Sequence, residues 1–166
     1  MTGVLDGYLV DPEISLLDKT RIQAQVLVPV LRVLRAELGK DRADALVRDA
    51  LRDWSKQLFA GIAAGIDGSP RRKWAAIQKV FGEVSGREVE FEVRRQDEQA
   101  LDIDVTHCRF AEFFRALGEP ELGALLICAV DFDIAAAGEG EVSLDRAQTL
   151  MQGAPSCTFR YRFAPR

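Results

Sequence analysis

REVEFEVRRQDEQALDIDV, residues 87–105, decides the fold class. Val89, Phe91 and Val93 alternate with Glu88, Glu90, Glu92 and Arg94. Past the turn Gln96-Asp97-Glu98, Leu101, Ile103 and Val105 alternate with Asp102 and Asp104. A period of two sends one set of side chains to a core and the other to water. The stretch therefore predicts two half-buried strands joined as an antiparallel hairpin.

Upstream of it the period is helical. Ile22, Val26, Val30, Val33 and Leu34 recur three and four apart between Lys19 and Leu38, predicting the buried stripe of a first helix, with Arg32, Arg35 and Glu37 outside it. Pro29 predicts a kink, or a helix that ends just before it, and Gly39 a stop. Asp41 reads as the cap of a second helix to about Ala64, with Val47, Leu51, Trp54 and Leu58 inward. Gly65 and Asp67-Gly68-Ser69-Pro70 mark a turn. Ser69 caps a third helix there and Pro70 opens it, with Trp74, Ile77, Phe81 and Val84 on its buried side. Residues 1–17 have no clear period and read as an arm, with a short helical turn open to Asp11-Pro12-Glu13.

Downstream, Phe110, Phe113, Phe114 and Leu117 predict a helix ended by Gly118. Glu119-Pro120 starts another to about Ala137, broken by Gly138-Glu139-Gly140. Two more strands follow, Glu141 to Met151 and Cys157 to Phe163. The expected fold is α+β in one domain, 1–166. Its helical N-terminal half (19–85) packs on a four-stranded, mainly antiparallel sheet (87–163) with two helices inserted between the hairpins.

A chain of 166 residues with 48% apolar and 29% charged residues can bury a core, and a formal charge of −4 argues against nucleic acid or an anionic membrane as partner. The start has no basic stretch before an apolar run, and no apolar run reaches bilayer length. The expected compartment is the cytoplasm, where three cysteines are reduced thiols. A homo-oligomer is left open.

Candidate chemistry gathers in the last third. Ala124, Cys128, Asp131 and Ala135, spaced four, three and four, share a face if the helix is regular. That puts a carboxylate one turn from a thiol. A buried core cysteine beside an exposed aspartate fits the same pattern. Arg146 and Gln148 share a strand side with Val142, Leu144 and Leu150. Long polar groups there need a partner, either a bound carboxylate or an internal one such as Asp131. Cys157, Phe159, Tyr161 and Phe163 share the apolar face of the last strand, and Arg160 and Arg162 fall to solvent. His107 and Cys108 end the second strand, where a helix N-terminus is expected to lower the Cys108 pKa. No Cys-x-x-Cys or His-x-x-x-His pair supports a metal site, and no phosphate loop or serine elbow is present. No cofactor is implied.

His107-Cys108-Arg109-Phe110 leading to Leu117-Gly118-Glu119-Pro120-Glu121-Leu122-Gly123, then Cys128-Ala129-Val130-Asp131, then Arg146-Ala147-Gln148-Thr149 through Gly153 to Cys157-Thr158-Phe159-Arg160-Tyr161, form an ordered set of motifs. This set resembles the L-2-amino-thiazoline-4-carboxylic acid hydrolase family. Two positions depart from its pattern: Arg109 stands where proline is frequent, and Thr158 where aspartate is. The resemblance implies a hydrolase acting on a cyclic carbon–nitrogen, amidine-type bond, opening 2-amino-thiazoline-4-carboxylate to N-carbamoyl-cysteine. It implies Cys108, Cys128, Asp131 and Cys157 as catalytic candidates. A thiolate, Cys108 or Cys157, would attack or activate water, and Asp131 would move the proton. His107, Arg146, Gln148, Thr149, Phe159 and Tyr161 are the substrate-binding candidates. Other readings stay open: a hydrolase of another small cyclic amidine, imidate or lactam, or a non-catalytic small-molecule-binding or thiol-sensing domain.

Overall fold

The structure, a computed structural model, describes residues 14–165. The predicted turn at Asp11-Pro12-Glu13 lies outside them. Helix α1 (Leu16–Leu38) starts earlier than its apolar period suggests, because Ser15 caps it: the Ser15 hydroxyl oxygen accepts from the Asp18 amide at 3.0 Å. The helix runs on through Pro29, which is exposed, so the carbonyl that loses its donor faces water rather than core.

Its buried face differs from the expected one. Leu17, Thr20, Ala24, Val28 and Leu31 are buried, whereas Ile22, Val26, Val30 and Val33 are exposed. Both sets recur at three and four, so α1 is apolar on two sides, and the small residues Thr20 and Ala24 let their side approach the core more closely.

Gly39, at φ 78°, ends α1 and stands at the cap of α2 (Lys40–Ala63), the place expected for Asp41. Phe59 and Ser55 are the buried residues of its second half. Val47, Leu51 and Leu58 are half-buried, and Trp54 faces outward. Helix α3 (Pro70–Ser85) begins at Ser69-Pro70 as predicted and buries Trp74 and Ile77, while Phe81 is half-buried and Val84 exposed.

Strands β1 (Val89–Gln96) and β2 (Ala100–Cys108) form the expected antiparallel hairpin. Helix α4 (Arg109–Ala116) follows, buries Phe110, Ala111 and Phe114, and leaves Leu117, just past its end, exposed. A helical path then runs through α5 (Pro120–Gly123), a π-helical segment (Ala124–Cys128) and α6 (Val130–Ala136). Strand β3 is only Val142–Asp145, far shorter than the predicted Glu141–Met151, because the chain leaves the sheet at Arg146. Strand β4 (Cys157–Phe163) is as expected. The sheet order is β1-β2-β4-β3, antiparallel throughout.

The helical half packs on one face of this sheet through two core clusters. Ala24, Val28 and Leu31 of α1 meet Phe114, Leu122 and Met151 in the first. Phe59, Trp74 and Ile77 meet Ile134, Val142 and Tyr161 in the second. The other sheet face carries a cross-strand charge ladder. Arg160 and Arg162, expected in solvent, pair there with Asp104 and Asp102. β1 is an edge strand and stays exposed, its Phe91 and Val93 included, since the helices cover the sheet only from β2 onward.

Gly123 fixes how closely α5 approaches its neighbours. A β-carbon there would sit 2.5 Å from the Met151 sulfur and 2.7 Å from Phe114. Its φ of −60° is ordinary helix, so the constraint is space and not backbone freedom. Gly123→Ala is predicted to lose about 1–3 kcal/mol despite alanine's better helix propensity. At Gly82 of α3 a β-carbon meets nothing within 4 Å, and Gly82→Ala should be neutral or gain up to ~1 kcal/mol. Chemical denaturation of the two variants checks the contrast.

Candidate active site

β2 delivers the first thiol by an irregularity. Val105 pairs with Phe91 but His107 pairs with Glu90, so Thr106 is an extra residue, a β-bulge. Val105 faces the helices, and its partners Phe91 and Cys157 point to the same side of the sheet. Regular alternation would turn Cys108 outward. The bulge reverses the parity, so Cys108, paired with Val89, faces inward and His107 outward.

The second thiol comes from the π-helical segment. There the Ala129 amide reaches back five residues to the Ala124 carbonyl (3.0 Å), and the Phe132 amide takes the Ala129 carbonyl (3.2 Å). The Cys128 carbonyl, passed over by that last bond, accepts from Arg146 Nη1 at 3.0 Å. The same Nη1 donates to Asp131 Oδ2, forming the ion pair of the site. A π turn thus releases a backbone acceptor, a frequent use of such turns. It also splits the predicted stripe: Ala124 and Cys128 pack on the first core cluster and Ala135 enters the second.

Arg146 is the first residue past β3. Its side chain is 8% exposed, against 26% for Asp131. The guanidinium lies 4.8 Å from the Phe132 ring centroid and 5.5 Å from that of Phe159, two cation–π contacts. Its Nε is buried without a hydrogen-bond partner. One donor of a nearly buried cation is therefore unsatisfied within the protein.

Cys157, at the start of β4, accepts from the Leu150 amide at 3.2 Å. The loop supplying that amide is held by its own polar groups. Thr149 Oγ1 accepts from the Gln152 amide (3.2 Å) and donates to its side-chain oxygen (3.1 Å), and Gln148 Nε2 donates to Ser156 Oγ (3.2 Å).

Burial sets the protonation states. It is the largest influence on all three thiols and pushes each one up, Cys128 to about 12 with the Asp131 charge adding to the rise. Cys108 caps α4, and the Phe110 and Ala111 amides pull its pKa down as expected, but desolvation outweighs them. Burial likewise raises Asp131, to about 6, against the lowering effect of Arg146. Cys128 lies within electrostatic reach of both other thiols, and each of the three feels the Asp131 charge.

Among the predicted residues, the fold therefore brings Cys108, Cys128, Asp131, Arg146, Cys157 and Phe159 to one seam between the two core clusters. Gln148 and Thr149 are engaged in the loop. The Tyr161 hydroxyl accepts from Gln78 of α3 at 2.6 Å, inside the second cluster. His107 pairs with Glu112 at 3.5 Å on the surface. Phe132 and the Cys128 carbonyl were missed, since their roles follow from the π turn, which leaves no periodic signal. Arg109 forms a surface pair with Glu88 (2.9 Å), and Thr158 faces the opposite side of the sheet from Cys157.

Two clefts, of about 290 and 470 Å³, lie on the α2 side of α6 and share Arg52 and Asp133. Neither contains a thiol, Asp131 or Arg146, so the seam lies outside both hollows. Among the described residues no group of three or more His, Cys, Asp or Glu has the geometry to hold a metal ion. None of their helices is long and apolar enough to cross a membrane.

On this α+β frame three thiols and an aspartate of raised pKa converge on one seam. The chain belongs to the L-2-amino-thiazoline-4-carboxylic acid hydrolase family, whose sequence model matches residues 19–161. No curated protein matches the chain.

Asp131 is raised from 3.8 to about 6, so its ionisation opposes folding: stability from this group is full below pH 3.8 and falls as pH rises through about 6. Removing the cation by Arg146→Met should raise the Asp131 pKa further. The variant is predicted to lose about 3 kcal/mol near pH 8 and clearly less near pH 5, where the carboxyl is protonated. Urea denaturation at the two pH values measures the difference.

Proposed function

We propose that this chain hydrolyses 2-amino-thiazoline-4-carboxylate to N-carbamoyl-cysteine at the Asp131–Arg146 seam. The observation that carries the reading is a single one. A carboxylate whose pKa is raised to about 6 shares its cation with a backbone carbonyl and lies within electrostatic range of three thiols.

In this reading water supplies the oxygen. Cys108 Sγ adds to the amidine carbon of the ring, the ring carbon–sulfur bond breaks, and the Cys108 proton passes to the released ring sulfur; water then adds to the same carbon, the bond to Cys108 breaks, and water's two protons end on the ring nitrogen and on Cys108. Asp131, raised to about 6 and so half-ionised about one pH unit below neutrality, relays these protons. The free Nε of Arg146 holds the substrate carboxylate.

The thiols divide by protonation cost. Moving a proton from Cys128, at about 12, to Asp131, at about 6, costs roughly 8 kcal/mol, which disqualifies Cys128 as the attacking group. Cys108 is the better nucleophile. Two helix amides favour its thiolate against the Asp131 and Glu112 charges, one amide and Arg146 favour that of Cys157, and Cys108 is the residue with more of its surface exposed.

Mass-spectrometric detection of water addition tests the reading. Wild-type protein should convert the substrate with a rate that rises with pH through an apparent pKa near 6. Asp131→Asn should cost at least about a hundredfold and remove that limb, and Cys108→Ser should abolish turnover. Full activity in Cys108→Ser would eliminate covalent catalysis by this thiol. Intact substrate after incubation with wild type would sink the hydrolase assignment for this compound.

A further inference from the structure

The cleft of about 470 Å³ opens where the second half of α2, the first half of α3 and the end of α6 meet. That volume falls in the range of about 300–1,000 Å³ usual for small-molecule sites. Its floor is apolar: Phe59 and Ile77, both buried in the second core cluster, line it. Its walls are short, with Ala60 and Ala63 from α2 and Ala136 and Ala137 from the other side. The charges around it do not cancel. Arg52, Lys56 and Lys73 line the cleft against Asp133 and Glu139, an excess of one cation in a chain whose formal charge is −4.

Of the two carboxylates, Asp133 is already engaged. The Ser55 hydroxyl hydrogen-bonds it, and Arg52 Nε lies 3.8 Å away. Arg48, Arg52 and Lys56, four apart along α2, all act on this one carboxylate. Cations at that spacing repel one another, so a further anion beside them is favoured. The pair Lys56 forms with Asp53, at 3.7 Å, is screened by water, since the two side chains are 69% and 73% exposed. Lys73 is half-buried and has no hydrogen bond or ion pair among the described residues. Two ammonium groups beside an apolar floor call for an anion with an apolar body. We propose that this cleft binds a small organic carboxylate, with its charged end at Lys56 and Lys73 and its apolar body over Phe59 and Ile77. Lysine suits the task, because its apolar stem can lie along the ligand while the charge reaches the carboxylate. The site is separate from the Asp131–Arg146 seam and does not depend on the hydrolase reading.

The test is a nuclear magnetic resonance titration of the full-length chain with phenylacetate, following the backbone amides. Saturable shifts are expected at Ala63 and Ile77, with a dissociation constant of about a millimolar for so small a ligand, and none at Cys157. Acetate, which keeps the charge and lacks the body, and phenethylammonium, which keeps the body and reverses the charge, should each bind at least about tenfold more weakly. The double variant Lys56→Gln/Lys73→Gln should weaken phenylacetate at least about tenfold with unchanged far-UV circular dichroism, since both lysines lie at the protein surface. Ala63→Phe should block binding by filling the cleft. Absence of saturable shifts, equal binding of phenethylammonium, or an affinity untouched by the double lysine variant would each overturn the proposal. Shifts centred on Cys157 instead would place the carboxylate at Arg146 and overturn it as well.

Discussion

The ion pair between Asp131 and Arg146 is the constraint on which the rest of the site depends. An arginine with 8% of its side chain exposed has to be compensated or the fold loses several kcal/mol. Three irregular features supply that compensation. The π-helical segment releases the Cys128 carbonyl, β3 stops after four residues so that Arg146 can leave the sheet, and Phe132 and Phe159 present ring faces to the guanidinium. A regular helix and a full-length third strand would each remove one of these partners.

The same burial governs the chemistry. Desolvation acts on the three thiols and on Asp131 and favours the neutral form of each. It holds the thiols protonated and brings Asp131 into the range where a proton can be taken and returned near neutrality. A helix N-terminus by itself would make Cys108 acidic, yet two amide dipoles do not overcome the loss of water around its sulfur. In the seam the carboxyl is thus the group whose charge changes nearest neutrality, and the thiols change theirs at higher pH.

Much of this was legible in the sequence where the chain is regular. The alternation across residues 87–105 gives the hairpin, Ser69-Pro70 gives the start of α3, and the motif order from Cys108 to Tyr161 gives the family. Irregular backbone was not legible. The bulge at Thr106 and the π turn each add one residue to a period, which redirects the side chains beyond them without altering composition. The alternation of Val142, Leu144 and Leu150 continues after the ladder hydrogen bonds have ended, so the third strand is shorter than its period. In α1 the larger apolar residues outvoted the smaller ones: Ile22, Val26, Val30 and Val33 have the stronger period, but Thr20 and Ala24 allow the closer approach that the core requires.

The carboxyl carbon of Asp131, followed by nuclear magnetic resonance through a pH titration, tests the central claim most directly. A pKa near 6 would show that the buried pair tunes this group for proton transfer. A value at the ordinary 3.8 or below would mean that Arg146 and water dominate its surroundings, and that the seam is a structural ion pair with no catalytic poise.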